Sequence, residues 1–138
     1  MIAHWPAGIK SPGRLIPAVS HLVDIMPTVL EVTHGDEDQD RKLKAAEIPQ
    51  DGTSLAAAFT GPLEHERTLF FHHARGSALR HGPWKIVRER KQPWELYHLK
   101  QDPLELNDLA KQQPDKLTEL TKIWDLESKR LSDQAKVK

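Results

Sequence analysis

Apolar residues in the first part of the chain recur at helical spacing, and from Arg67 the period changes to two. Thr68 to His73, Ala78 to Arg80, Trp84 to Glu89 and Trp94 to Leu99 are separated by turn residues at Arg75 to Ser77, His81 to Pro83 and Lys91 to Pro93. This pattern predicts four short strands in an antiparallel meander. In the third strand Trp84 and Ile86 alternate with Lys85 and Val87, and in the fourth Trp94 and Leu96 flank Glu95, so one face is expected to be apolar and the other mixed. Pro114 opens a final helix running to about Ser132, with Leu117, Leu120, Ile123, Trp124 and Leu131 on one side and Asp125 and Lys129 an exposed pair. Such a stripe needs a surface to cover, and the meander supplies one.

Upstream, MIAHWPAGIKSPGR begins on a strand-like apolar pair and turns at once through Pro6, Gly8, Pro12 and Gly13. SHLVDIMPTVLEVTHG predicts a helix capped by Asp24, or by Ser20 one turn earlier, and stopped by Gly35. Pro27 favours the later start, because a proline in the first helical turn gives up an N–H that has no partner there. Ile25, Val29, Leu30 and Val32 are expected to face the core. DEDQDRKLK, Asp36 to Lys44, has acidic residues at the alternating spacing of a calcium loop. It lacks the turn glycine and the terminal bidentate Glu, so a solvated loop is the expectation. DGTSLAAAFTG then predicts a turn at Asp51 and Gly52, a cap at Thr53 or Ser54, a short helix and a stop at Gly61. The fold class is α+β.

Composition narrows the possible functions. At 138 residues the chain has the size of one domain, and with 38% apolar and 29% charged residues it can fold around a thin core. Twenty Lys plus Arg balance twenty Asp plus Glu, so no overall field draws it to nucleic acid or to an anionic membrane, and neither is expected as a partner. The absence of cysteine excludes disulfides, thiolate metal sites and a thiol nucleophile. No apolar run approaches the roughly 18 residues of a membrane span.

Candidate chemistry gathers in LFFHHARGSALRHGPWKIVRE, Leu69 to Glu89, where three histidines stand among Arg75, Arg80, Lys85 and Arg88. His72 and His73 are adjacent, so on a strand they point to opposite faces and cannot hold one metal from the same side. Convergence across a hairpin with Glu64 or Glu66 is the alternative, with hydrogen-bonded surface histidines the simpler expectation. RHGPWKIVRERK flanks a tryptophan with cations, as a base-stacking surface would. The balanced charge favours instead a wet sheet face on which aliphatic stems cover aromatics. KSPGR has the outline of a nucleophile motif, but Lys10 stands where the nucleophile would be, and the segment is expected to be a turn.

Taken in order, WPAGI, the DIMPTVLE helix, DGTSL, ALRHGPWK and ELYHLKQDPLELNDL resemble the C-terminal part of the type I, formylglycine-dependent sulfatases of the alkaline-phosphatase-like superfamily. The likeness covers almost the whole chain. It implies two parts: residues 1–62 as the end of a large mixed α/β catalytic domain, contributing a strand and helices, and residues 63–138 as a small four-stranded antiparallel sheet packed by the last helix. It also implies that Met1 is an internal position of a longer protein and the chain a fragment. In the family, a formylglycine made from C/S-x-P-S-R, a calcium ion and sulfate-binding Lys and His residues lie upstream of the part represented here. No position in this sequence inherits a catalytic or metal role, so the chain alone is expected to be inactive. Its expected partners are the N-terminal catalytic half and a sulfated small molecule or carbohydrate. The hairpin matching the family's pocket-mouth element places His72, His73 and Arg75 as possible substrate-binding residues, since Arg offers a fork to an anionic ester and His can donate to or accept from a sugar hydroxyl. The family suggests a periplasmic or secreted compartment. A stand-alone module binding sulfated ligands and a structural remnant are the alternatives.

Overall fold

The computed structural model describes residues 1–33, 51–63 and 66–136. The acidic run from Asp36, the stop at Gly35 and the candidate ligand Glu64 lie outside the described residues. The chain divides into two compact units, Met1–His65 and Glu66–Lys138.

In the first unit, residues 1–5 carry no strand pairing; the opening strand is expected as part of a larger sheet. A strand needs a neighbour to satisfy its backbone groups, and no other strand is present among the described residues of this unit. The next residues close a turn in which the Gly8 and Ile9 amides both donate to the Trp5 carbonyl, at 3.0 and 2.8 Å. The Trp5 ring lies so close over Gly8 that an added Cβ would stand 2.1 Å from it, and the same ring meets that of Phe59 edge-on at 5.8 Å.

A 3-10 turn, Leu22–Asp24, leads directly into helix α1, Ile25–Thr33. The cap is His21, between the two caps expected from the sequence: its ring accepts from the Val23 amide while Asp24 reaches back to the His21 amide, a reciprocal box. Asp24 is therefore inside the turn, and it is fully buried. Its two oxygens accept from the His21 amide at 2.6 Å and the Thr53 amide at 3.0 Å. One turn on, the buried Thr28 hydroxyl donates to the Asp24 carbonyl at 2.5 Å and accepts from the Leu55 amide at 2.8 Å. Gly52 fits between these contacts, where a Cβ would stand 2.1 Å from the Val23 carbonyl oxygen. DIMPT and DGTSL are thus two halves of one polar clamp. The buried side of the 3-10 turn and α1 carries Asp24 and Thr28 rather than the expected apolar set; Ile25 and Val29 are exposed and Leu30 and Val32 less buried than Thr28. A second 3-10 turn, Ala56–Phe59, follows, and its amides begin with a bond from Ala56 to the Ser54 hydroxyl at 3.1 Å.

The second unit is a meander, β1 Thr68–His73, β2 Gly76–His81, β3 Trp84–Glu89 and β4 Glu95–His98, in the order β1-β2-β3-β4. Helix α2, Pro114–Ala135, packs on it. Strand β2 is longer than expected because the first loop needs only Ala74 and Arg75. Register places Phe70, Leu79, Ile86 and Leu96 directly opposite one another in a row across the sheet. Leu79, Ile86 and Leu96 are fully buried, and Leu120 and Trp124 of α2 close the row from above. The expected stripe on the last helix is the one used, since Leu117 and Ile123 pack beside Leu120 and Trp124. The α+β class, the four-stranded antiparallel sheet and the C-terminal helix all stand.

Candidate functional site

His72, His73 and Arg75 occupy the β1–β2 hairpin end and are all exposed. The period of two sends the histidines to opposite faces, as the sequence implies. The turn draws His73 and Arg75 together, with the Arg75 amide donating to His73 Nδ1 at 3.2 Å. His72 turns to the helix face, where its Nδ1 meets the Ser77 hydroxyl at 3.1 Å and its ring stands edge-on to Trp124 at 6.0 Å. The Arg75 carbonyl accepts from the Arg90 amide at 2.9 Å, so the β3–β4 turn is tied to the same end of the sheet. Among the described residues the Arg75 guanidinium makes no ion pair, leaving its fork available to an anion.

Arg88 departs from the expected wet side. Two positions after the fully buried Ile86, it lies on the apolar face, in register with Ser77 and, through it, with His72. Counting in twos from Ile86 would have put it there. Its guanidinium carbon lies 4.2 Å from the Trp94 ring centroid and 5.0 Å from that of Trp124, a cation held against two indoles. Trp84, the tryptophan of the candidate stacking surface, packs edge-on against His98 at 4.6 Å.

The opposite face is fastened by the acidic residues of the DPLELND loop. Lys85 Nζ donates to both oxygens of Glu105, at 2.6 and 2.7 Å. Asp108 Oδ1 accepts from the Leu96 amide at 3.0 Å and the Ala110 amide at 2.9 Å, pinning β4 to the loop. Asp102 accepts from the Asn107 amide at 2.8 Å, and backbone donors from Asn107 and Leu106 hold its carboxyl below the usual carboxylate range. The Tyr97 hydroxyl donates to Glu95 at 3.0 Å. Burial, then the hydrogen bond to Glu95 and the negative charge around it, push the phenol up to about 12.

Neither a calcium site nor a formylglycine precursor is found among the described residues. Among the described residues no group of three or more His, Asp or Glu could hold a metal ion. In KSPGR the residue at the nucleophile position is Lys10, and Arg14 is committed to structure, donating to the Ala58 and Gly61 carbonyls, each at 2.8 Å. The segment is a turn, with Gly13 at φ 76°. Beside it, Trp5, Ile9, Ile16, Leu55 and Phe59 line an open apolar cleft of about 940 Å³.

No protein-family model matches the chain. Over 83 residues, 60% of its length, the chain is 32% identical to human arylsulfatase D, of which this match spans 13%. Its fold is similar to that of BT4656, solved in complex with its substrate D-glucosamine-2-N,6-O-disulfate. That likeness has a TM-score of 0.54 and 20% identity, and covers 80% of this chain and 24% of that one. The chain thus spans a small part of each, and the resemblance to the C-terminal part of the sulfatases is borne out.

Proposed function

We propose that this chain serves a sulfuric ester hydrolase by packing on its catalytic half, and that its β1–β2 hairpin helps choose the substrate. The observation that carries this reading is the apolar surface of the first unit. Ile2 is 98% exposed, Leu15 94%, Leu22 76% and Met26 62%, so large apolar side chains of one small unit stand uncovered. A catalytic half would cover these residues and would supply the formylglycine and the calcium ion, so the chain by itself hydrolyses nothing. His73 and Arg75, joined across the turn, would then offer a bidentate cation and a hydroxyl partner to a sulfated small molecule or carbohydrate, with His72 on the other side of the hairpin. The compartment of such an enzyme would be periplasmic or secreted.

The test is reconstitution. Purified chain supplied with calcium is expected to release no phenol from an aryl sulfate, and a sulfatase catalytic half lacking this region is expected to gain activity when the chain is added. Hydrolysis by the chain alone would overturn the inactivity; absence of complex formation would overturn the packing. A second reading is favoured by the second unit, whose core is closed by its own sheet and helix: a module that binds sulfated ligands without a catalytic partner. Retention on a sulfated oligosaccharide column at low salt, weakened by His73→Ala or Arg75→Ala, would support it.

A further inference from the structure

Two donors on touching side chains lack an acceptor. Arg88 Nε and Trp124 Nε1 are both buried and neither has a hydrogen-bond partner. The two groups are in contact through the guanidinium that lies over the indole. Trp124 is 7% exposed, so its N–H does not turn out to bulk water, and leaving such donors unpaired in a protein interior is costly. Both groups can only donate. The missing partner is therefore an acceptor, and beside a guanidinium the acceptor that gains most is an oxyanion.

The surroundings suit a ligand of this kind. Trp94 and Trp124 fix the guanidinium plane, so little side-chain entropy remains to be lost on binding. His72 forms the open side: it is exposed, its Nδ1 is held by Ser77, and among the described residues its other ring nitrogen has no partner. Arg88 itself has neither carboxylate nor carbonyl partner among the described residues, although half-buried arginines usually find one. We infer that Arg88, Trp124 Nε1 and His72 form a binding site for an oxyanion group, a sulfate ester or a carboxylate, on the helix face of the sheet. The site lies on the other face of the hairpin from His73 and Arg75, and it is argued from the unpaired donors, the two indoles and His72. It therefore stands or falls independently of the packing on a catalytic half.

The experiment is a titration of the full 138-residue chain, isotopically labelled, followed through its four tryptophan indole N–H signals. The probes are inorganic sulfate, glucosamine 6-sulfate and glucuronate, with chloride at matched ionic strength. A saturable shift of the Trp124 indole signal is expected with an oxyanion probe and not with chloride. Arg88→Met, which keeps the stem against the indoles, should abolish that shift while the Leu79 and Ile86 amides stay in place. Arg88→Lys should weaken binding about tenfold or more, the ratio set by a lost charge-assisted hydrogen bond, and His72→Ala should weaken it less. A response to the sulfates alone assigns a sulfate ester, and a response to glucuronate alone assigns a carboxylate. No saturable shift with any probe, or the same shift with chloride or in Arg88→Met, overturns the site and leaves a buried water as the acceptor. Should the variants fold poorly, the wild-type titration against chloride still decides between these outcomes.

Discussion

The two units solve the problem of holding a short chain together in opposite ways. In the sheet unit the fully buried side chains are aliphatic: Leu79, Ile86 and Leu96 form one row across the sheet, and Leu120 of the helix closes it. In the first unit the fully buried large side chain is a carboxylate, Asp24, and many of the apolar residues around it are exposed. A hydrophobic row is worth roughly 1.5–3 kcal/mol for each large side chain buried. The net gain from a hydrogen bond that replaces one to water is only about 1 kcal/mol. The clamp of Asp24 and Thr28 therefore fixes the shape of the first unit without contributing much to its stability, whereas the sheet unit has its own driving force. On the packing proposed above, a larger partner would supply the burial that the first unit lacks.

The largest effect that would break this contrast is truncation of the core. Leu120→Ala removes a fully buried side chain between helix and sheet and is expected to cost about 2–5 kcal/mol. Urea unfolding followed through Trp84, Trp94 and Trp124 should show it, and Trp5, in the other unit, should not respond. If Leu120→Ala unfolded both units in one transition, the difference between them would be lost.

The next effect falls on the clamp. Asp24→Ala leaves the His21 and Thr53 amides without their acceptor, at about 1–3 kcal/mol. In a unit with so little apolar burial this should suffice to open it. Hydrogen exchange at the Thr53 and Leu55 amides is expected to be faster than at Leu79 or Ile86 already in the unaltered chain, and close to unprotected in Asp24→Ala. Protection in the first unit equal to that of the sheet core would contradict its weakness.

The same contrast explains what could be read from the sequence. Leu79, Ile86 and Leu96 announce themselves because burial by one sheet face imposes a period of two, and Leu117, Leu120, Ile123 and Trp124 do so because a helix imposes its own. The clamp leaves no periodic signal. Asp24 looks like an ordinary cap and Thr28 like a helix surface residue, and only the amides brought in from Thr53 and Leu55 give them their role. Arg88 escapes the pattern for a related reason: a cation is not expected on an apolar face, and it is admitted here because two indoles surround it. His72, His73 and Arg75 could be placed on a hairpin from sequence, with the two histidines on opposite faces, but which of those faces lies under the helix became visible only with the register.

A smaller effect sharpens how the sheet's other face is held. Lys85 and Glu105 are 26% and 31% exposed, which limits their pair to about 1 kcal/mol or less. Glu105 also sits at φ 57°, in the left-handed region that glycine tolerates better. Glu105→Ala loses the pair and keeps the backbone cost, so a loss under about 1 kcal/mol is expected. Glu105→Gly loses the pair and regains roughly 1 kcal/mol of backbone strain, so its midpoint in urea should match the unaltered chain. Equal destabilisation by both would mean that the backbone there is unstrained.

At neutral pH the smallest effect belongs to Tyr97, and its titration can be read without ambiguity because the chain has one tyrosine. Burial raises its phenol, and the hydrogen bond it donates to the Glu95 carboxylate, with that group's charge, raises it further, from 10.0 to about 12. Well below pH 10 folded and unfolded chains both hold the proton, so the full stability is present there. As pH rises past 10 the unfolded chain ionises first, and stability declines until the folded phenol also ionises near 12. The phenolate absorbance of the folded chain should therefore titrate well above that of the chain in urea. Glu95→Gln should bring the folded midpoint part of the way back, because it removes the negative charge and keeps the burial. A folded midpoint at the ordinary value would mean that β4 leaves the phenol in water, and the closed side of the sheet unit would then be as open as the first unit's apolar surface.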